Sequence, residues 1–304
     1  MSRRRSEIPP TTHWSFAAEA ELAAFTLCWE TDETTVLDRV GGLYRLDRDG
    51  RLLAATRLRG AATCLAASHD GSAAAIVHGG TVTVLDAMLR VRGRLECESD
   101  VVSLAFSPFG DALTVSLASG VLRIVLLDGS QPRQVVEWVA PRPKDFVAML
   151  PGRDRIVTVA EHDGLTTYDS RGSMLWEDRL RANCGGMAAS GDGGLIVLAA
   201  FTRGLLIYDA SGKRQGAFLL DESPSRVAVD HAGSTIVAGT VEQTIVRLTR
   251  KGSVRWSTEV EDEVVGLAVD GLGRSVVVGT ADGRLRRITW TDMGGHGDSD
   301  ELSF

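Results

Sequence analysis

Arg226-Val227-Ala228-Val229-Asp230, Thr235-Ile236-Val237-Ala238, Thr244-Ile245-Val246-Arg247-Leu248 and Val254-Arg255-Trp256-Ser257 are four short apolar segments separated by turn residues. Their β-branched and aliphatic content, bounded by Gly and Asp turns, reads as four antiparallel strands a, b, c and d joined by hairpins. The unit recurs along the chain. A glycine after an apolar strand stands at Gly71, Gly110, Gly152, Gly193, Gly233 and Gly273, with gaps of 39, 42, 41, 40 and 40 residues. A second register agrees: Leu46-Asp47, Leu85-Asp86, Leu127-Asp128, Tyr168-Asp169, Tyr208-Asp209, Leu248-Thr249 and Ile288-Thr289 step by 39, 42, 41, 40, 40 and 40. No amphipathic helix interrupts them. A four-stranded unit repeating about every 40 residues has the period of a propeller blade, whose sheet faces are buried only by stacking on neighbours. The expectation is an all-β, seven-bladed β-propeller with four antiparallel strands per blade.

Strand a carries small residues at Ala66, Ala105, Ala148, Ala188, Ala228 and Ala268, with Cys28 taken as the counterpart in the first unit. Innermost strands converge on an axis, where small side chains fit. The seventh unit stops after strand c at Arg284-Leu285-Arg286-Arg287-Ile288, and His13-Trp14-Ser15-Phe16-Ala17-Ala18-Glu19 matches Arg255-Trp256-Ser257-Thr258-Glu259-Val260-Glu261 at Trp, Ser and the final Glu. Residues of about 12 to 18 are therefore expected to supply the outer strand of blade 7 and remove an exposed edge. The organisation that follows is a leader at 1–11, one propeller domain at 12–290 and an acidic, Gly-rich tail at 291–304.

The formal net charge of -7 opposes a nucleic-acid backbone as the main partner, since that binding rests on dense Lys and Arg. No run of apolar residues is long enough to span a membrane, and Ser6-Glu7-Ile8-Pro9-Pro10 breaks the start of any export signal. Four cysteines without metal-ligand spacing suit reduced thiols and a cytoplasmic location.

With its residues laid out, the chain resembles WD40-type propellers. In the Gly172-Ser173-Met174-Leu175-Trp176 and Gly252-Ser253-Val254-Arg255-Trp256 turns it also resembles the PQQ-like repeat family. The Gly-His and Trp-Asp pair of a full WD40 repeat is absent. The tryptophan of the PQQ-like repeat is present at Trp14, Trp176 and Trp256, while Ala54 and Gly216 occupy equivalent places. The resemblance implies a protein-interaction scaffold, an adaptor or sensor subunit. A small molecule or cofactor at the axial funnel is the alternative that the PQQ-like likeness implies.

The strand-d tryptophans read as packing between blades. Asp47, Asp86, Asp128, Asp169 and Asp209 each head a c-to-d turn, where a carboxylate caps its own turn amides rather than binding calcium. His69 and His231 share an a-to-b turn position in blades 2 and 6, and His78 and His162 lie near b-to-c turns; none are expected to be neighbours. No catalytic or metal constellation and no cofactor is read from the chain. In an a-b-c-d blade the d-to-a and b-to-c loops leave one end of the sheet. That end carries an acidic arc at Glu19, Glu21, Asp221, Glu222, Glu261, Asp262 and Glu263, facing Arg142, Lys144, Arg181 and Arg203 across the ring. These residues are the expected contact set for another protein with a basic segment.

Overall fold

The computed structural model describes residues 9–127, 132–151, 155–160, 164–180 and 182–291. They form 28 strands, β1 to β28 in chain order, grouped in seven four-stranded antiparallel sheets. Blade 6 comprises β22 (Pro224–Val229), β23 (Thr235–Thr240), β24 (Thr244–Thr249) and β25 (Val254–Glu259), paired in that order. The strands follow the segments read from the sequence: β22 begins two residues earlier and ends one earlier, and the other three run one or two residues farther.

The core is divided among the blade boundaries. Ala66 and Val84 pack on Leu104, Leu113 and Val115 between blades 2 and 3, and Ala228 and Val237 pack on Val264 and Val276 between blades 6 and 7. Each fully buried aliphatic side chain of this kind contributes about 1.5–3 kcal/mol. The strand-a alanines lie beside an axial channel, where Ala66, Ala105 and Ala148 line a cavity of about 260 Å³. In blade 1 the position belongs to Thr26 rather than Cys28. Strand β2 (Leu22–Leu27) ends before Cys28, which is buried two positions farther on beside Arg45 and Glu33. Burial pushes its thiol up to about 11, so it stays protonated.

The turn aspartates act as caps. The Oδ1 of Asp169 accepts from the N–H groups of Arg171 (2.9 Å) and Ser173 (2.8 Å), and Asp47, Asp86 and Asp209 repeat the pattern. Asp128 lies outside the described residues. The strand-d aromatics reach the next blade: Trp14 lies on Gly50 and donates its indole N–H to the Arg48 carbonyl at 2.9 Å, while Trp256 packs on Trp290 at 5.5 Å.

Closure occurs through β1 (Thr11–Ala17), which pairs antiparallel with β28 (Arg284–Thr289) and completes blade 7 with β27 (Ser275–Thr280) and β26 (Val264–Val269). Arg287, 5% exposed, ties the seam from inside: its guanidinium donates to both carboxylate oxygens of Asp32 in blade 1 at 2.7 Å and to the Ser275 hydroxyl at 2.9 Å. Losing Trp14 alone is worth about 3–5 kcal/mol, and each kcal/mol moves the Tm of a domain this large by about 2–4 °C. Deleting residues 1–20 is therefore expected to lower the Tm by more than about 6 °C. Deleting 292–304 should leave it within about 2 °C, because β28 ends before that segment. Equal melting temperatures for the two truncations in a thermal denaturation series would show that β1 is not the clasp.

Candidate binding site at the axial mouth

Antiparallel order sends the a-to-b and c-to-d turns to one end of the ring and the b-to-c and d-to-a loops to the other. At the a-to-b end, the residues just inside successive turns are Trp29, His69, Pro108, Pro151, Gly191, His231 and Gly271, one from each blade. All seven line one open pocket of about 650 Å³ over the channel. Backbone bonds staple neighbouring turns there: Glu30 N–H to the His69 carbonyl (3.0 Å), His69 N–H to Pro108 (3.0 Å), Asp192 N–H to His231 (3.0 Å) and His231 N–H to Gly271 (3.3 Å).

Trp29 is the centre of this arrangement. Its indole N–H donates to the Val269 carbonyl of blade 7 at 2.9 Å, and its rings lie 4.3 Å from His69 and 5.7 Å from His231. Gly191 makes the room, since a Cβ there would come within 2.3 Å of His231 Cδ2 and 2.4 Å of Trp29 Cζ3. Burial, and next the neighbouring His231, lower the His69 imidazole to about 4, so it is neutral at physiological pH. At the rim stand Phe109 and Leu272, 69% and 71% exposed.

This geometry corrects one expectation: His69 and His231 are neighbours, brought together through Trp29 by the closing of the ring. Two imidazoles are not a metal centre, and among the described residues no group of three His, Cys, Asp or Glu converges as ligands. His162 lies outside the described residues.

The charged residues expected at the binding face lie at the opposite end. There Glu19 pairs with Arg57, Glu21 with Arg39 (3.3 Å) and Glu261 with Arg286 (2.8 Å). Glu222 accepts from the hydroxyls of Thr240 and Thr244, Asp262 accepts from the Glu263 N–H, and Asp221 is exposed. Glu263 faces Arg226, whose guanidinium spans the channel wall from the Gly185 carbonyl of blade 5 to the Val265 carbonyl of blade 7 at 3.0 Å each. Arg142 and Arg203 are exposed, and Arg181 lies outside the described residues. Lys144 is a correction: it is 1% exposed, with its ammonium donating to the Thr166 hydroxyl at 3.2 Å, because its loop folds inward between blades 3 and 4. It does not belong to a surface.

The fold and the mouth define a closed seven-bladed propeller with an aromatic axial pocket. The chain is similar in structure to the β-propeller domain of Cps50 (Swd1) from Myceliophteria thermophila, with a TM-score of 0.81 and 13% sequence identity over 93% of this chain and 100% of that one. In all, 1847 chains of solved structures match, so this likeness shows the fold and does not select a function. No family model matches the chain. No curated protein matches it in sequence. Among the described residues no helix is long and apolar enough to cross a membrane.

Since folding lowers the His69 value below its ordinary 6.5, the stability that neutral His69 contributes is complete above pH 6.5 and is lost as pH falls toward 4. His69→Phe keeps a ring against Trp29 and removes the titration. The wild-type Tm is expected to fall more steeply than that of the variant between pH 6.5 and 4, and parallel curves would show that His69 does not titrate there.

Proposed function

We propose that the chain is a non-catalytic protein-interaction scaffold, an adaptor or sensor subunit, that seats an apolar segment of a partner protein in the axial mouth. One observation carries this reading: Phe109 and Leu272 stand exposed at the rim of a concave pocket floored by Trp29, His69 and His231. Exposed apolar side chains scattered singly are ordinary. Two of them framing an aromatic hollow of about 650 Å³ offer what a partner's anchoring side chains fill. The stapled turns support the reading as well, since a mouth held by hydrogen bonds needs little ordering on binding.

The test is the double change Phe109→Ser with Leu272→Ser, made against the stoichiometric partner recovered from the native host and identified by mass spectrometry. Affinity is expected to fall at least tenfold, with the Tm unchanged because both side chains are exposed. Unchanged affinity overturns this site. The pocket volume also lies within the roughly 300–1,000 Å³ of small-molecule sites, which favours a second reading in which the mouth holds a small molecule or cofactor. A thermal shift with a ligand, lost in the same variant while protein binding persists, would select it.

The acidic arc of the opposite face belongs to this reading as a longer-range element, drawing in a basic segment of the partner. Glu19, Glu21 and Glu261 are already paired with arginines, so its effect is expected on the association rate and not on the strength of the final complex. Reversing Glu261, Asp262 and Glu263 to lysine should slow association at low ionic strength and converge with wild type at high salt. A rate unaltered at low salt removes the steering role.

A further inference from the structure

Blade 5 differs from the two blades beside it on its outer strand. The strand-d position filled by Trp176 opposite Thr167 in blade 4 and by Trp256 opposite Arg247 in blade 6 is Gly216 opposite Ile207 in blade 5. Trp176 covers Gly212 of the next blade, but Gly216 leaves its place unfilled: nothing lies within 4 Å of where its Cβ would stand, and its φ of +148° favours glycine. What remains is a hollow of about 690 Å³ between blades 5 and 6, walled by Leu195, Ile207, Tyr208 and Phe218, with Arg250 and Lys251 at its lip.

Cations outnumber carboxylates around the hollow, with Arg250 and Lys251 against the single lining carboxylate of Asp209. Lys213 and Arg214 lead into Gly216 on the blade 5 side, and Arg250 and Lys251 form the facing turn of blade 6. The chain has three lysines, and with Lys144 buried both exposed ones flank this hollow. The carboxylate of Asp209 is committed to its own turn, accepting from Ser211, the Lys213 N–H and the Gln215 amide. The Arg250 guanidinium donates to the Ala232 carbonyl at 3.1 Å and lies near Asp192, which holds its charged head beside the opening.

We infer that this hollow is a second docking site, independent of the axial mouth, for an acidic segment of a partner protein that inserts one aromatic side chain at the place where the two flanking blades carry Trp176 and Trp256. The apolar wall supplies the anchor site, and the cationic lip selects Asp and Glu on either side of the anchor. Exposed ion pairs contribute little each, so the anchor carries the affinity and the charges carry the choice of sequence. A net charge of -7 and an apolar wall both disfavour a nucleic acid here.

The test is fluorescence anisotropy of the full chain with capped, labelled peptides: Asp-Glu-Trp-Glu-Asp, its Trp-to-Ala version, and Lys-Lys-Trp-Lys-Lys. The acidic Trp peptide is expected to bind at least tenfold more tightly than either other peptide. Lys213→Glu with Lys251→Glu should weaken it at least tenfold without lowering the Tm, while Phe109→Ser with Leu272→Ser should leave it unchanged. Equal binding of the Ala peptide, binding that survives the charge reversal, or no binding at millimolar peptide overturns the site. Displacement of the peptide by a single-stranded oligonucleotide of equal or better affinity would assign the patch to nucleic acid and overturn it as well.

Discussion

The antiparallel pairing of β1 with β28, reinforced by the Arg287–Asp32 ion pair, is the constraint on which the rest of the molecule depends. Every other blade is made from consecutive residues and folds from local hairpins. This one joins segments about 270 residues apart, and loop-closure entropy opposes such a contact until the intervening blades have stacked. The axial mouth exists only on the far side of that step. Trp29 belongs to blade 1 and hydrogen bonds to Val269 of blade 7, so an open ring separates the floor of the pocket from part of its wall. Blade 2, next to blade 1 in the chain, contributes His69 to the same tryptophan, while His231 of blade 6 gains that neighbour only when the circle is complete.

The blades were legible in the sequence because their information is periodic. Strand alternation, Gly and Asp turns and a step of about 40 residues repeat seven times, so errors at one unit are corrected by the others. The match of Trp14 and Ser15 to Trp256 and Ser257 identified the closing strand by the same logic. The mouth was hidden by one misalignment. Placing Cys28 in the alanine column shifts blade 1 by two residues. With Thr26 there instead, Cys28 falls beside Ser68 and Asp230, and Trp29 falls beside His69 and His231. The column Trp, His, Pro, Pro, Gly, His, Gly then reads as a ring of turn residues around the axis. Burial of Lys144 had no such signal, since the inward fold of its loop depends on Ser116 and Thr166 in two different blades.

The two ends of the ring are chemically different for reasons that lie in the packing. At the b-to-c and d-to-a end, arginines on strands and loops pair with Glu19, Glu21 and Glu261 of the arc, threonine hydroxyls donate to Glu222, and Arg226 caps backbone carbonyls of its neighbours; the surface is polar and largely self-satisfied. At the a-to-b end the backbone satisfies itself through the turn-to-turn staples, which frees the side chains for other uses. Aromatic and apolar groups can then face solvent there without an unpaired polar group beneath them. A rigid mouth of this kind pays its conformational entropy during folding rather than on binding.

Positions where the blades differ are where structure and function separate, and Trp29 and Gly216 differ from their neighbours in opposite ways. Trp29 adds bulk at the axis, the narrowest part of the ring, and the cost is met within the chain: Gly191 and Gly271 stand back from the indole, and Val269 accepts its N–H. Gly216 removes bulk at the outer strand, the widest part, and no neighbour moves in; Phe218 reaches Gly252 from two residues farther on and leaves the space beside it open. The interblade contact that Trp176 makes on Gly212 is made in blade 5 by Phe218 on Gly252, so the stacking continues while the Gly216 side of the strand stays open. Ala54, Gly93 and Val136 stand at the same register in blades 1 to 3, so the outer strand accepts a smaller residue there, and what sets blade 5 apart is the hollow left open between it and blade 6.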